Sequence, residues 1–420
     1  MTQRIAIIGT GIAGMTCGYL LHRDNDITVF EANDYIGGHT ATKDIDIDGH
    51  TYAIDTGFIV YNDWTYPNFI RLMNKLGVEG QPTEMSFSVK NTAQNIEYNG
   101  NNLNSLFAQR RNLLRPRFWR LVRDILRFNG LCKDTLAQST FEPSQTLGDF
   151  LTEHRFSDVF KDNYILPMCA AIWSTSLADI ERFPLRFFLQ FFNNHGLLNV
   201  SDRPQWHTLI GGSRAYIAPL TDGFRERIHL STPVQQVTRH GHQWQVQSSL
   251  GLQTFDHVIF ACHSDQALAM LSQPSAEQQA ILGNLRYADN DVVLHTDTRL
   301  LPARPLAWAS WNYLLTGDEE EAHAPACVTY NMNILQRLSA PHTFCVTLNS
   351  SQDIDPDKVL GRYRYAHPQF NHEALAAQQR RDEICGVDNL HFCGAYWYNG
   401  FHEDGVNSAL DVCKRFGASL

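Results

Sequence analysis

The chain has 420 residues, 43% of them hydrophobic, which is enough for one large core or two joined ones. Its formal net charge of -10 argues against general nucleic-acid binding, because phosphate binding needs a net basic surface. Nine cysteines without a CxxC pair, and an opening that resembles a strand more than a secretory leader, predict free thiols, no zinc site and a cytoplasmic protein.

The first predicted unit, RIAIIGTGIAGMTCGYLLHRDNDITVFEAN at residues 4–33, has the pattern strand, glycine turn, helix and strand. In its GxGxxG motif Gly9 permits a tight turn, Gly11 lets backbone amides approach a pyrophosphate, and Gly14 lets the helix lie close to the sheet. Glu31 closes the second strand, where it would accept hydrogen bonds from an adenosine ribose. The unit predicts a dinucleotide site that suits either NAD or FAD.

Two further stretches indicate a cofactor longer than the first loop can hold. ANDYIGGHT places Gly37 and Gly38 just after Glu31, where the backbone can again approach a ligand closely. DIDIDGHTYAI at residues 44–54 alternates as paired strands do around a DG turn, and the predicted hairpin leads into Thr56 and Gly57.

The segment RRNLLRPRFWRLVRDILRF at residues 110–128 predicts a basic amphipathic helix that begins at Pro116. It contains seven arginines and apolar residues at helical spacing. Two interpretations stay open: a surface helix packed on its own domain, or a peripheral anchor on anionic lipid. Farther along, the acidic segment at residues 318–325 predicts a solvated loop.

The C-terminal segment LHFCGAYWYNGFHEDGVNSALDVC predicts a strand at 390–393, a glycine at Gly394, and then a helix. Asp404 is the predicted N-cap, with Gly405 next. The free N–H groups of the first helical turn would face a group that carries negative charge.

These motifs, together with the central segment at residues 211–271, resemble the flavin amine oxidase superfamily, which includes monoamine oxidases, protoporphyrinogen oxidases and carotenoid desaturases. The resemblance implies an α/β fold with FAD as cofactor. A Rossmann-like FAD-binding domain would comprise residues 1–70, 205–265 and 385–420, and a discontinuous α+β substrate domain residues 71–204 and 266–384.

The resemblance also implies roles for individual residues. The backbone at Val234 would meet adenine, and the C-terminal helix would stabilise negative charge on the isoalloxazine ring. The predicted cofactor-binding residues are Gly9, Gly11, Ile12, Ala13, Gly14, Glu31, Gly37, Gly38, His39, Thr56, Gly57, Val234, Gly394, Gly405 and Val406. The predicted catalytic residues are Phe401, His402 and Trp397.

The chain departs from the superfamily at several positions. It has no lysine from 162 to 357, where amine-oxidising members place one near the flavin, and His295 is the nearest replacement. Phe401 stands at the position of a tyrosine, and CGAY at 393–396 lacks an acid. His39 replaces an arginine; it would donate to a phosphate or stack near the ring, or be satisfied by the backbone.

These departures favour an FAD-dependent oxidoreductase that takes hydride from a largely apolar, lipid-derived substrate in a desaturase-like reaction. Three alternatives stay open: an amine oxidase, a non-redox flavin mutase of the UDP-galactopyranose mutase type, and a non-enzymatic lipid-binding protein. The predicted partners are a small molecule or lipid, with peripheral membrane contact through the basic helix, and no nucleic acid or metal.

Overall fold

The computed structural model describes residues 2–138, 142, 144–318, 322–350 and 353–420. The strands are β1 (Arg4–Ile8), β2 (Asp26–Phe30), β3 (Thr42–Ile47), β4 (His50–Asp55), β5 (Tyr61–Asn62), β6 (Gly80–Thr83), β7 (Phe87–Asn91), β8 (Ile96–Asn99), β9 (Trp206–Leu209), β10 (Ile228–His229), β11 (Gln236–His240), β12 (Gln243–Ser248), β13 (Gly251–Phe255), β14 (His257–Phe260), β15 (Tyr287–His295), β16 (Trp311–Leu315), β17 (Val328–Asn331), β18 (Cys345–Leu348), β19 (Val359–Pro368) and β20 (Leu390–Phe392).

The α-helices are α1 (Ile12–Leu21), α2 (Pro67–Leu76), α3 (Leu103–Leu106), α4 (Pro116–Gln138), α5 (Leu147–Glu153), α6 (Asp158–Phe160), α7 (Leu166–Trp173), α8 (Leu177–Glu181), α9 (Leu185–Asn194), α10 (Ile217–Thr221), α11 (Ser264–Met270), α12 (Ala276–Leu282), α13 (Met332–Leu335), α14 (His372–Gln379) and α15 (His402–Lys414).

Five parallel strands form a sheet in the order β10-β2-β1-β14-β20. β1 is central, so that Ile7 lies beside Val29 of β2 and Ile259 of β14. Residues 5–8 are fully buried, as is typical of a parallel strand covered on both faces. Ligands of such sheets bind at the carboxyl ends of the strands, where the strand order reverses.

Helices α1 and α15 pack against each other beside this sheet. Both contribute to the cluster of buried residues that contains β1, β2 and β14. The antiparallel sheet β11-β12-β13 adds Trp244 and Val246 to the same cluster. The packing brings the two ends of the chain together around one core.

A second sheet has seven strands in the order β19-β15-β18-β17-β16-β7-β8, and its pairs are antiparallel except that of β16 with β7. Its longest strands, β15 and β19, pair with each other. The first residue of β15, Tyr287, packs against the core of the parallel sheet. Helices α4 to α9 form a phenylalanine-rich buried cluster together with residues of this second sheet.

The predicted α/β class, with a Rossmann-like sheet and a mixed second part, is confirmed. The parallel strands lie within 4–30, 228–260 and 390–392, and the seven-stranded sheet lies within 87–99 and 287–368. The predicted domain boundaries themselves stay a prediction.

Local predictions agree with the structure in several places. β3 and β4 form the expected hairpin, and its turn residues Asp48 and Gly49 both have positive φ. Helix α4 begins at Pro116. In the predicted acidic loop, Asp318 and residues 322–325 are exposed, while 319–321 lie outside the described residues. Within the described part of the chain, no helix combines the length and apolarity needed to cross a bilayer.

Candidate active site

The glycine loop after β1 has a separate steric reason for each glycine. Gly9 has φ +108°, and a Cβ there would lie 2.6 Å from the carbonyl oxygen of Ala261. A Cβ on Gly14 would overlap the carbonyl oxygen of Gly9, so this glycine sets how closely α1 approaches the loop. A Cβ on Gly11 would meet nothing within 4 Å, so open space adjoins the first turn of α1. This space is where an anionic ligand fits, because the first amides of a helix carry partial positive charge.

Glu31 fastens the glycine loop to the turn after β2. Its Oε2 accepts hydrogen bonds from the amide of Thr10 at 2.9 Å and its hydroxyl at 2.5 Å. Its Oε1 accepts from the amide and the side chain of Asn33, both at 2.9 Å. These four donors match the acceptor capacity of a carboxylate, so in this structure Glu31 holds protein groups in place. The contact with a ribose stays a prediction.

Val234 lies in a segment held beside Glu31. The amide of Thr232 donates to the carbonyl of Glu31 at 2.7 Å, and the amide of Ser231 donates to the carbonyl of Asn33 at 2.8 Å. Val234 itself is half-buried against the core of the parallel sheet. Val234 thus lies two residues after a segment bonded to Glu31, and its contact with adenine stays a prediction.

The second glycine pair lies directly over the first loop. A Cβ on Gly38 would lie 3.3 Å from the Cα of Gly11, and the amide of Gly37 donates to the hydroxyl of Thr10 at 3.2 Å. Both glycines have positive φ, +134° for Gly37 and +58° for Gly38. The two glycine loops thus border the same space, as predicted from their spacing.

His39, the next residue, belongs to a cluster of three half-buried histidines. Its ring centroid lies 5.9 Å from that of His263 and 5.6 Å from that of His367. Its Nε2 lies 3.1 Å from the carbonyl oxygen of Ala366, so the backbone satisfies one side of the ring. Burial lowers the pKa of His39, of His263 to about 4 and of His367 to about 3. The cluster is therefore neutral near pH 7.

Thr56 and Gly57 follow β4 and close the groove from another side. The hydroxyl of Thr56 lies 2.8 Å from that of Tyr365 and donates to the carbonyl of Ala41 at 3.0 Å. A Cβ on Gly57 would overlap the carbonyl oxygen of His39. The amide of Phe58 donates to that same carbonyl at 2.8 Å, which fixes the Phe58 ring beside the loop.

Helix α15 begins earlier than predicted, so the assignment of Asp404 as N-cap is wrong. The N-cap is Phe401, whose amide donates to the carboxylate of Asp404 at 2.8 Å. The amide of Gly405 is already bonded to the carbonyl of Phe401 at 3.1 Å. The amides at the start of the helix are those of His402, Glu403 and Asp404. An acidic side chain can cap a helix from the N-cap position or from the third helical position. The Asp-Gly pair in the sequence is compatible with both positions and so does not locate the N-cap.

Gly405 and Val406 consequently have other roles than offering free amides. A Cβ on Gly405 would lie 2.6 Å from Cγ2 of Ile12 and 3.9 Å from the amide nitrogen of Ala13. Gly405 therefore lets the first turns of α15 and α1 lie side by side. Val406 is fully buried in an apolar cluster that also contains Ile12. The N-cap lies three residues earlier than predicted, and cofactor contact at Gly405 and Val406 stays a prediction.

His402 occupies a half-buried, hydrogen-bonded position at the start of α15. Its ring stacks on Phe58, with centroids 3.7 Å apart and planes 6° apart. Its Nε2 lies 3.0 Å from the hydroxyl of Tyr216 and 3.2 Å from that of Thr40, and those two hydroxyls are also bonded to each other. Burial, with a smaller effect of His39, lowers the pKa of His402 to about 3. The imidazole is neutral and held in place by its neighbours.

Phe401 forms an apolar wall next to His402. Its ring stacks on Phe191 of α9 at 5.3 Å and lies 5.9 Å from the ring of His195. Burial lowers the pKa of His195 to about 4, so this histidine is neutral as well. Phe401 packs against both the phenylalanine-rich cluster and the cluster of α1 and α2. It therefore lies between these two clusters.

The structure places Trp397, the third predicted catalytic residue, next to Arg381, and its catalytic role stays a prediction. It is buried in the core of the parallel sheet, with the guanidinium of Arg381 5.2 Å from its ring. It borders a surface cavity of about 540 Å³ together with Arg381 and Arg415. Gly394 turns the chain after β20, where its amide donates to the hydroxyl of Ser408 at 2.8 Å. A short helical turn then follows at Ala395–Trp397 and packs against α15.

His295, the histidine nearest to the predicted position of the missing lysine, is engaged within the second sheet. His295 is fully buried in β15, where its Nε2 lies 2.7 Å from the hydroxyl of Thr347 and its Nδ1 accepts from the amide of Asp297. Among the described residues, four lysines form polar or ring contacts: Lys43, Lys90, Lys161 and Lys358. None of these contacts is with a residue of the site.

Several residues of the site were absent from the sequence-based prediction. They are Thr40, Phe58, Tyr216, His263, His367 and Tyr365. His263 had a usable signal, since it follows β14 at the carboxyl edge where ligands bind. His367 and Tyr365 had none, because only the pairing of β19 with β15 brings them to the groove.

The arrangement fits a long dinucleotide. Contacts connect Glu31 with Thr10, Gly38 with Gly11, and Thr40 with His402, so these residues form one site between the first glycine loop and the start of α15. Two helix N-termini adjoin it, one suited to a diphosphate and one to a ring edge that becomes negative. No group of three or more metal-ligating side chains is found within the described residues.

A family model for flavin-containing amine oxidoreductases matches residues 12–312. No curated protein matches the sequence. Similar solved structures include a candidate protoporphyrinogen oxidase from Exiguobacterium sp. 255-15, with 17% identity, a TM-score of 0.70 and 99% of both chains covered. Another is a CLA-producing fatty acid isomerase from P. acnes, with 14% identity, a TM-score of 0.70 and coverage of 99% of this chain and 98% of that chain.

A third is cyclohexylamine oxidase from Brevibacterium oxydans IH-35A, with 14% identity, a TM-score of 0.68 and coverage of 99% of this chain and 100% of that chain. At such identities these structures show a shared fold alone. The family model covers well over half of the chain and agrees with the groove described above. The chain therefore belongs to the family of flavin-containing amine oxidoreductases and is an FAD-dependent oxidoreductase.

Proposed function

We propose that this enzyme takes hydride from a C–H bond of a largely apolar, lipid-derived substrate in a desaturase-like reaction. The observation that carries the proposal is the wall formed by Phe401, Phe191 and the neutral His195 at the start of α15. Such a wall favours hydrocarbon over a charged head, because burying an unpaired ammonium ion is costly. The fold of a fatty acid isomerase is shared, so the fold is compatible with acyl chains.

The chain's own residues have distinct tasks in this reaction. The first amides of α1 would hold the diphosphate of FAD, and those of His402, Glu403 and Asp404 would face the electron-rich edge of its ring. FAD, when bound, supplies the acceptor for a hydride. The bonded group of His402, Tyr216 and Thr40 holds the start of α15 rigid, so that its amides need not reorganise as charge develops.

Anaerobic mixing of the FAD-loaded enzyme with candidate substrates tests the proposal. Acyl lipids are expected to bleach the flavin absorbance, with mass spectrometry showing a product that has lost two hydrogens. Bleaching by simple amines but not by lipids would instead support amine oxidation. Turnover that needs reduced flavin but consumes no reductant would support a mutase, and a colourless protein that cannot be reconstituted would support a binding protein.

A pair of variants tests the apolar wall itself. Phe401→Ser is expected to lower kcat/KM for the lipid by roughly tenfold or more, since a buried phenylalanine contributes about 1.5–3 kcal/mol. Phe416→Ser is the matched control. Phe416 is also half-buried, but it packs against the core of the parallel sheet next to His391. Equal losses in the two variants would contradict a substrate-binding role for Phe401.

A further inference from the structure

The surface around the start of helix α4 combines unpaired positive charge with exposed apolar side chains. Seven arginines lie between residues 110 and 127, in a chain whose net charge is -10. Among the described residues, Arg127 is the one member of this group that forms an ion pair, with Asp124 at 3.6 Å. Arg110, Arg111, Arg117, Arg120 and Arg123 are exposed.

Asp124 cannot neutralise this surface. It is the one acidic residue of the stretch, and it is buried. Its carboxylate accepts hydrogen bonds from the amide of Ser157 at 3.2 Å and the hydroxyl of Ser157 at 2.5 Å. Arginines 110, 111, 115 and 117 bond instead to backbone or amide oxygens of neighbouring turns. These contacts orient the guanidinium groups without cancelling their charge.

Apolar side chains protrude among the arginines. Leu114 is 88% exposed and Leu103, in α3, is 76% exposed, while Leu113, Trp119 and Leu126 are each about half exposed. Trp119 is fixed in this position, because its indole N–H donates to the carbonyl of Leu113 at 2.9 Å. Clustered leucines of this kind are unfavourable in water unless the surface has a partner.

The helix presents the two features on one face. Trp119, Arg123 and Leu126 follow at helical spacing and are exposed, whereas Phe118, Leu121 and Phe128 on the other side are buried. A helix whose exposed face alternates tryptophan, leucine and arginine is typical of one that lies in the headgroup layer of a bilayer. Arginine stems also pack along apolar surface while their charged ends reach phosphates.

From these observations we infer that the surface formed by Leu103, Leu113, Leu114, Trp119, Leu126 and their neighbouring arginines docks on an anionic lipid bilayer. The leucines enter the acyl boundary and the guanidinium groups pair with lipid phosphates. A nucleic acid would match the arginines but leave four protruding leucines without a partner, since its contacts are made by charge and by stacking on aromatic rings.

The docked surface belongs to the substrate side of the molecule. On the buried face of α4, the ring of Phe128 packs edge-on against that of Phe188 of α9, with ring centroids 6.1 Å apart. Phe191, on the same helix, stacks on Phe401 at the candidate site. Docking would therefore place the bilayer beside the cluster that leads to Phe401. The binding itself does not rest on the proposed reaction, because it is measured without turnover.

Co-sedimentation of the FAD-loaded full-length chain with phosphatidylcholine vesicles, with and without phosphatidylglycerol, tests the inference. The chain is expected to sediment with phosphatidylglycerol vesicles at low salt, and less at high salt, because the attraction is screened. Quenching of tryptophan fluorescence by brominated acyl chains is expected in the wild type and is expected to fall in Trp119→Phe.

Two variants and a control separate this surface from general charge. Arg120→Glu/Arg123→Glu is expected to weaken vesicle binding by about tenfold or more, and Leu114→Ser/Trp119→Ser to weaken it comparably. Arg225→Glu/Arg362→Glu changes the net charge equally at exposed positions elsewhere and is expected to keep wild-type binding. Flavin content and melting temperature confirm that each variant is folded.

Three results would overturn the inference. One is that the wild type stays in the supernatant with anionic vesicles at low salt. Another is that the control pair weakens binding as much as the helix pair. The third is that a single-stranded oligonucleotide binds as tightly as the vesicles and competes with them, which would identify a nucleic-acid surface instead.

Discussion

Gly11 and Gly14 stand three residues apart in one motif, yet alanine at each is expected to have a different effect. Gly14→Ala places Cβ against the carbonyl of Gly9, where neither backbone can yield, and should destabilise the protein by about 2 kcal/mol or more. Gly11→Ala adds a methyl group to open space, and the φ of -61° at this position is one that any residue adopts. Folding should therefore be unaffected.

Flavin retention then separates the two variants. Gly11→Ala should keep the wild-type melting temperature of the flavin-free protein but lose bound FAD, because the methyl group occupies the space for the diphosphate. The measurements are the flavin absorbance of each purified variant and its thermal unfolding. Normal FAD content in folded Gly11→Ala would show that the diphosphate lies elsewhere.

The histidine cluster predicts that FAD binding takes up protons. His39, His263 and His367 are neutral in the flavin-free protein because burial lowers their pKa values. A nearby diphosphate would raise these three pKa values. The charge of Asp289 already raises the pKa of His263 slightly. Affinity for FAD should therefore rise as the pH falls from about 8 to about 6.

Calorimetry in buffers of different ionisation enthalpy measures this proton uptake. His39→Arg carries a permanent charge and should bind FAD with a weaker dependence on pH. An affinity that is equal at both pH values in the wild type would contradict the prediction.

At the scale of elements, the buried acid Asp404 caps the start of helix α15. Burial raises the pKa of Asp404 to about 7, and the charge of Glu403 adds to the effect, while the amide of Phe401 opposes it. A folded-state pKa above the unfolded value of about 3.9 means that stability is greatest when the group is protonated. This contribution is lost as the pH rises from about 4 to about 7.

Asp404→Asn tests this because it keeps an acceptor for the Phe401 amide without titrating. Its free energy of unfolding should exceed that of the wild type at pH above about 7, and the difference should shrink toward about pH 5. Asp404→Ala loses the cap, so its free energy of unfolding should be about 0.5–2 kcal/mol lower than that of Asp404→Asn at both pH values. Chemical unfolding measures all three proteins, and an Asn variant less stable than the wild type throughout would contradict the argument.

At the scale of the whole molecule, buried neutral histidines dominate the response to acid. Burial lowers the pKa to about 3 or 4 in six of them: His195, His263, His295, His367, His391 and His402. Each binds a proton more readily when unfolded, so stability should fall as the pH drops from about 6.5 to about 4. Four acids with raised pKa values, Asp55, Asp162, Glu403 and Asp404, act in the opposite direction but are fewer.

Urea unfolding between pH 7 and about pH 4.5 measures this loss. His295→Gln is a useful companion, because His295 lies away from the groove and glutamine can still bond to Thr347. Its stability should depend less steeply on pH than that of the wild type. Stability that is constant over this range would contradict the prediction.

The sequence by itself determined the features that depend on short stretches of backbone. The spacing of Gly9, Gly11 and Gly14, the DG turn of the hairpin and the start of α4 at Pro116 all follow from turn chemistry and helical periodicity. It also pointed to the groove, because each glycine loop follows a strand and must face the same sheet edge.

Only the tertiary structure decided which distant residues meet. Thr40, Tyr216 and His402 form one hydrogen-bonded group although hundreds of residues separate them, and His367 reaches His39 through strand pairing. The start of α15 was likewise decided by packing, since an acid can cap a helix from two positions. Local preferences act over a few residues, whereas the order of strands and the burial of side chains are properties of the whole chain.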